Sequence, residues 1–112
     1  MRYATFDIIL VDFPFTNLTV TKKRPALVVK SLEGDNIIVS QITTKMRKIQ
    51  KYEVRLQKSS CLGDIRFDSF IYLDTIFTLH RDLIHRKIAE ISSIETRKSI
   101  HDKLKELFFL LN

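Results

Sequence analysis

The chain has 112 residues, a single cysteine, two glycines and two prolines, and 45% of its residues are hydrophobic. This length and composition predict one domain over residues 1–112 with a core of its own, and they exclude a linker or a low-complexity chain. The longest apolar runs, "IILV" and "LFFLL", are far shorter than the roughly 20 residues that span a bilayer. We therefore expect no membrane association, and the single Cys61 favours a reducing, cytoplasmic environment.

The net charge of +6 is concentrated in one window of the chain. Between Lys22 and Lys58, ten lysines and arginines stand against three acids, so the rest of the chain sums to −1. Such a concentration of cations is typical of a surface that contacts nucleic acid. Solvated faces and surfaces that bind acidic proteins show the same pattern, so charge alone leaves all three interpretations open.

The first half of the chain predicts β-strands separated by turns and polar loops. "FDIILVDFPF" is rich in Ile, Val and Phe, and Pro14 ends it, while "YEVRLQ" alternates apolar and polar residues like a half-exposed strand. The turn "LEGDN" contains Gly34, which tolerates a positive φ, and joins two strands into a hairpin. The predicted strands are 6–15, 24–31, 36–42 and 52–57, and the predicted loops are 15–23 and 43–51.

The second half changes from strand to helix. Residues 58–65 are predicted to be a connection, and 66–79 to contain one or two strands. The segment 80–92 suits a helical turn followed by a short strand as well as it suits a single helix. A helix then follows, with Ser92 and Glu95 as its predicted capping box. We predict a mainly β fold, a small SH3-like antiparallel barrel or curled sheet with a C-terminal α-helix, whose apolar side carries Ile94, Ile100, Leu104, Leu107 and Leu111.

Three polar positions are candidates for chemistry. Arg24 precedes Pro25 at the start of a strand, where a rigid backbone would hold a guanidinium in place. Thr43 directly follows the predicted strand "NIIVSQI", where a threonine either serves function or caps its own backbone. Asp74 lies within the apolar "IYLDTIF", and because an unpaired buried charge is costly, it is either paired or placed for function.

The order of these segments resembles the PemK/MazF family, the toxin ribonucleases (mRNA interferases) of type II toxin–antitoxin pairs. The similarity is carried by "FDIILVDFPFTNLTVTKKRPALVVKS", then "VSQITTK", then "DSFIYLDTIFTL". It runs from about residue 6 to residue 92 and implies the small barrel with a final helix. It also implies metal-independent cleavage of single-stranded RNA, in which the ribose 2′-OH attacks the adjacent phosphorus and leaves a 2′,3′-cyclic phosphate and a 5′-OH.

The resemblance implies roles for individual residues. Arg24 would bind the scissile phosphate, the Thr43 hydroxyl would donate to a phosphate oxygen, and Asp74 would be the general base. Ser69 would contact RNA or cap its strand, and the phenol of Tyr72, with an ordinary pKa of about 10, would be a slow acid at neutral pH. The expected RNA-binding residues are Lys22, Lys23, Thr44, Lys45, Arg47, Ser69 and Tyr72.

The resemblance further implies partners: single-stranded RNA, most simply messenger RNA, a second copy of the chain in a homodimer, and a cognate antitoxin that occupies the RNA groove with acidic residues. The loops 16–23 and 43–51 would line this groove. No cofactor is expected. His80, His85 and His101 have no clustered metal ligands around them in the sequence, so we expect solvated histidines and no metal site.

Four positions depart from the family pattern. Some relatives place arginines where this chain has Tyr72 and Phe77, the family's opening glycine is Phe6 here, and the 16–23 loop lacks a histidine found in one relative. Arg24 would therefore carry more of the electrostatic load. Two alternatives stay open at this point: a toxin of the same fold that poisons DNA gyrase by protein binding, and a catalytically degenerate nucleic-acid-binding barrel.

Overall fold

The computed structural model describes residues 2–14, 21–48 and 51–109 as one antiparallel sheet and a C-terminal helix. Two one-turn 3₁₀ segments, Lys58–Ser60 and Arg81–Leu83, connect strands. The strands are β1 (Asp7–Pro14), β2 (Thr21–Ser31), β3 (Asn36–Thr43), β4 (Glu53–Leu56), β5 (Cys61–Gly63), β6 (Ser69–His80) and β7 (Ile84–Ile91), and the helix is α1 (Ile94–Phe108).

The seven strands form a single curled sheet in the order β4-β6-β3-β2-β1-β7-β5. All the neighbouring pairs are antiparallel. The two edge strands are also the shortest described strands, with four residues in β4 and three in β5. The predicted mainly β fold with a C-terminal helix is confirmed, in the form of a half-barrel whose sheet is curled rather than closed.

Apolar side chains that alternate along the strands cover both faces of the sheet. The inner face carries a core that the helix covers through Ile100 and Leu104. The outer face carries a second apolar cluster on which Tyr3, Leu83 and Ile84 pack. The inner core contains Ile8, Leu27, Ile42, Val54, Leu56, Ile71, Leu73, Ala89 and Ile91; the outer cluster contains Ile9, Val11, Ala26, Val28, Ile37, Val39 and Leu79.

Several boundaries differ from the predictions. Lys22 and Lys23 belong to β2 rather than to a loop, because β1 continues far enough to pair with them. The predicted connection 58–65 contains β5, whose Gly63 lies so close to β7 that a Cβ would be 2.5 Å from the Ile88 carbonyl oxygen. The ambiguous segment 80–92 is a helical turn followed by β7.

The start of the helix is one residue later than predicted. Ser93, not Ser92, is the N-cap, and its hydroxyl accepts a hydrogen bond from the Thr96 backbone N–H at 3.2 Å. Ser92 instead donates to the Ser60 carbonyl, which ties the helix entry to the 3₁₀ turn before β5. On the predicted apolar side, Ile100 is buried while Ile94 is 80% exposed, and Leu111 lies outside the described residues.

Phe6 occupies a backbone position that favours glycine. Its φ is 76°, at the third position of a turn closed by the hydrogen bond from Asp7 N–H to the Ala4 carbonyl. Its own N–H donates to Val28 and its carbonyl accepts from Ile91. The ring packs on the inner core under the Arg97 guanidinium, 4.9 Å from the ring centroid. Packing and hydrogen bonds therefore hold a conformation that most side chains avoid.

Candidate RNA-cleavage site

One end of the outer face is polar, although the other end of the same face is apolar. The strand register places Gln41 opposite Ala26, Tyr72 opposite Gln41, and Glu53 opposite Tyr72, so a row of side chains crosses β2, β3, β6 and β4. Tyr72 lies between Ile71 and Leu73, both of which face the inner core. Because side chains alternate along a strand, Tyr72 and its row face outward.

Arg24 and Thr43 lie on this outer face, two residues beyond the Ala26–Gln41 pair and toward the same end of the sheet. Arg24 is half-buried and pairs with Val11 of β1. The Thr43 hydroxyl oxygen accepts the Lys45 N–H at 3.2 Å, which is the capping role. A hydroxyl that accepts in this way still has a proton to donate, so capping and phosphate binding are compatible.

Tyr72 anchors the segment that follows β3. It is 7% exposed, and its hydroxyl donates to the carbonyl of Lys45. Burial raises the pKa of the phenol, and the nearby Glu53 carboxylate raises it further. A phenol that holds its proton this firmly is a poorer acid at neutral pH than an exposed tyrosine, so the geometry favours a positioning role over proton donation.

Arg47 joins the two acids of the site. Its Nη2 donates to Asp74 Oδ1 at 2.5 Å, its Nε lies 3.8 Å from Glu53 Oε2, and its Cζ lies 4.1 Å from the Tyr72 ring centroid. Asp74 is two residues beyond Tyr72 on β6 and so faces the same side, at the point where the β3–β6 register shifts between Ser40 and Gln41. Asp74 is thus a paired carboxylate, one of the two outcomes that the sequence left open.

The other predicted RNA-binding residues occupy different settings. Lys22, Lys23, Thr44 and Lys45 are exposed. Ser69 is buried, and its hydroxyl donates to the Phe67 carbonyl at 3.1 Å, an arrangement that favours strand capping over RNA contact. The loop residues 15–20 and 49–50, predicted to line the groove, lie outside the described residues.

Sequence reasoning missed two pairings. Glu53, whose side chain is 6% exposed, was not a candidate, although its place opposite Tyr72 follows from pairing two strands with matching alternation. His85 is exposed, as expected of a solvated histidine, and its Nε2 also lies 2.8 Å from Asp12 Oδ2, a pairing that the sequence did not indicate. Within the described ranges, no group of three or more His, Cys, Asp or Glu side chains is placed to hold a metal ion. No described helix is both long and apolar enough to cross a membrane.

The family model described as "PemK-like, MazF-like toxin of type II toxin-antitoxin system" matches residues 4–108. The chain belongs to this family. The predicted family resemblance is therefore confirmed, and it extends beyond residues 6–92 to include the helix of this PemK/MazF-like toxin. The comparison with curated proteins found no match.

Solved structures of low sequence identity share the fold of the PemK/MazF-like toxin. A mycobacterial endoribonuclease in complex with its cognate antitoxin has 17% identity and a TM-score of 0.77, covering 99% of each chain. The Mycobacterium tuberculosis toxin MazF-mt6 has 18% identity and a TM-score of 0.72, covering 95% of this chain and 99% of its own. MazF in a MazE–MazF complex from Deinococcus radiodurans has 16% identity and a TM-score of 0.70, covering 96% of this chain and 95% of its own.

Proposed function

We propose that this PemK/MazF-like toxin is a metal-independent endoribonuclease that cleaves single-stranded RNA, most simply messenger RNA, and thereby inhibits growth. The observation that carries the proposal is the placement of Arg24 and Thr43 at the same polar end of the outer face. A guanidinium and a hydroxyl there offer donors to one phosphate, where negative charge builds up during attack by the 2′-OH.

The surrounding residues support binding of a polyanion. Exposed Lys22, Lys23 and Lys45 stand at this end of the sheet, and we assign them, with Thr44 and Arg47, to contacts with the RNA backbone. Ser69 and Tyr72 act by holding the backbone from which these contacts are made. We assign Asp74 to the catalytic site, either as the base or as a partner that orients Arg47.

We also propose the assembly and setting of the protein. The structures of two relatives contain an antitoxin, which supports a cognate antitoxin for this chain as well. Because the surface to be masked is basic, that partner would present acidic residues to it. We propose that residues 1–112 act as one domain, as a homodimer in the cytoplasm.

The test is incubation of the purified protein with a long RNA in EDTA, with mapping of the cut ends. We expect discrete cuts in single-stranded regions that leave a 2′,3′-cyclic phosphate and a 5′-OH. Arg24→Ala should lower the cleavage rate by about 10²–10³-fold, the usual loss when a donor to a developing anion is removed. Lys30→Ala, at an exposed position in the same strand, is the matched control and should cleave normally.

Two results would overturn the proposal. RNA that stays intact while a competent relative cuts in parallel, but is bound by the protein, would indicate a nucleic-acid-binding barrel. Intact and unbound RNA, together with binding to DNA gyrase, would indicate the gyrase-directed alternative.

A further inference from the structure

Glu53 is a buried acid in a site that is to bind an anion. Its side chain is 6% exposed, and its Oε2 atom has no hydrogen-bond partner among the described residues. A buried carboxylate destabilises a fold unless a counter-charge compensates it. The cation that faces it is Arg47, whose Nε lies 3.8 Å away, too far for a hydrogen bond but close enough for strong attraction.

The position of Glu53 constrains the Arg47 side chain from a second direction. Asp74 on β6 binds the Nη2 end of the guanidinium, whereas Glu53 on β4 attracts the Nε edge. The ring of Tyr72, which is the cross-strand partner of Glu53, lies against the guanidinium plane. Three residues on β-strands therefore contact two edges and one face of the Arg47 guanidinium. Arg47 itself lies in the irregular segment after β3.

We propose that Glu53 is a positioning residue that fixes the Arg47 guanidinium on Tyr72, at the place where the site meets an RNA phosphate. The inference rests on the proposed function, because Arg47 is assigned there to the RNA backbone. Glu53 is outside the residues assigned to RNA contacts, and its role is to hold Arg47 in position rather than to increase the affinity for RNA.

Charge separates these two roles. Arg47, Asp74 and Glu53 together carry −1, so Glu53 repels the phosphate that the site is to bind. Removing its charge therefore strengthens RNA binding, while removing its hold on Arg47 slows the chemical step. A positioning role therefore predicts that one substitution lowers both kcat and KM, so that RNA is bound more tightly but cleaved more slowly.

The decisive variant is Glu53→Gln, which keeps the shape and removes the charge. We expect kcat for RNA cleavage to fall about tenfold, because a displaced Arg47 holds the RNA phosphate less accurately for attack, and KM to fall about two- to fivefold. Glu53→Asp keeps the charge and shortens the reach, so kcat should fall without the gain in affinity. Glu33→Gln, an exposed acid in the β2–β3 turn, is the charge-matched control and should leave kcat unchanged.

A readout independent of cleavage is the NMR signal of the Arg47 Nε–H group. We expect it to be sharp in the wild-type protein and in Glu33→Gln, and broadened by fast exchange in Glu53→Gln. If wild-type protein does not cut RNA, the proposed function is wrong, and this signal still decides whether Glu53 positions Arg47.

Three results would overturn the inference. One is a Glu53→Gln protein with tighter RNA binding and an unchanged kcat, which would make Glu53 a purely electrostatic element. Another is loss of thermal stability with kcat and KM unchanged, which would make it a structural acid. The third is an unchanged Arg47 signal.

Discussion

The two ends of the outer face are built on the same strands but are held together differently. At the apolar end, Val28, Val39 and Leu79 are buried, and Tyr3 and Leu83 pack over them. At the polar end, the 44–48 segment lies over Tyr72 and is fixed by a hydrogen bond and by ion pairs. β2, β3 and β6 run through both ends.

The difference shows how a small sheet separates stability from activity. At the apolar end, water cannot replace the contacts between apolar side chains, so separating them is unfavourable and the side chains stay packed. At the second end the donors Thr43 and Arg47 can bind a phosphate while keeping their present partners, because a hydroxyl and a guanidinium each make more than one hydrogen bond. Substitutions at the two ends should therefore affect different measured quantities.

The largest expected effect is at the apolar end. Leu79→Ala removes a buried side chain from β6 and should lower the free energy of unfolding by about 2–5 kcal/mol, measured by urea denaturation. RNA cleavage per folded molecule should be unchanged at a temperature where the variant is folded. A comparable loss of cleavage would mean that the two ends are not separate.

At the polar end, Thr43→Ala should affect cleavage far more than stability. The loss of one hydrogen bond to a charged phosphate should slow cleavage about 10–100-fold, while unfolding free energy changes by less than about 1 kcal/mol. Single-turnover cleavage and urea denaturation measure the two quantities. Thr78→Ala, at an exposed position in β6, is the matched control and should change neither.

The ion pairs of the polar end can be tested by a double-mutant cycle. Arg47→Ala leaves Glu53 buried without this counter-charge and should lower the unfolding free energy by about 1–3 kcal/mol. Adding Glu53→Gln to that variant should restore part of the loss, because the charge that needed compensation is gone. Strictly additive effects in the double variant would show that the two side chains are not coupled.

The smallest effect is a pH dependence at Tyr72. Tyr72→Phe removes the hydrogen bond to Lys45 and should cost about 1 kcal/mol at pH values well below the ordinary tyrosine pKa. Burial raises the pKa of Tyr72 in the folded state, so its protonated form contributes stability that is lost as the pH rises above about 10. The stability gap between wild type and Tyr72→Phe should therefore narrow in urea titrations at alkaline pH. A stability difference that increases at alkaline pH would contradict the predicted direction of the Tyr72 pKa shift.

The choice of Arg24 and Thr43 as site residues rested mainly on the family resemblance, and their roles stay predictions. Local pattern, by contrast, was enough to predict most of the strands, because strand alternation is a property of adjacent residues and is visible in the sequence. The same holds for the helix, although its N-cap was wrong by one residue because Ser92 and Ser93 are equally suitable caps and only the contact of Ser92 with Ser60 distinguishes them.

The polar cluster itself could not be predicted in the same way. Arg47 and Asp74 are 27 positions apart and meet because the pairing of β6 with β3 brings Asp74 beside the segment that follows β3. That segment has no periodic pattern, so nothing local indicates where Arg47 points. Glu53 had the appearance of an ordinary polar residue on a half-exposed strand, and its burial depends on Arg47 and Tyr72 together.

The brevity of the edge strands β4 and β5 bears on how the protein behaves when it is abundant. An exposed strand edge offers unpaired backbone groups to any other chain, and long edges promote aggregation. Here the edges are only four and three residues long, and β4 carries the exposed Arg55. Copies of the chain should therefore contact each other through side chains rather than by adding strands to the sheet, which lowers the tendency to aggregate.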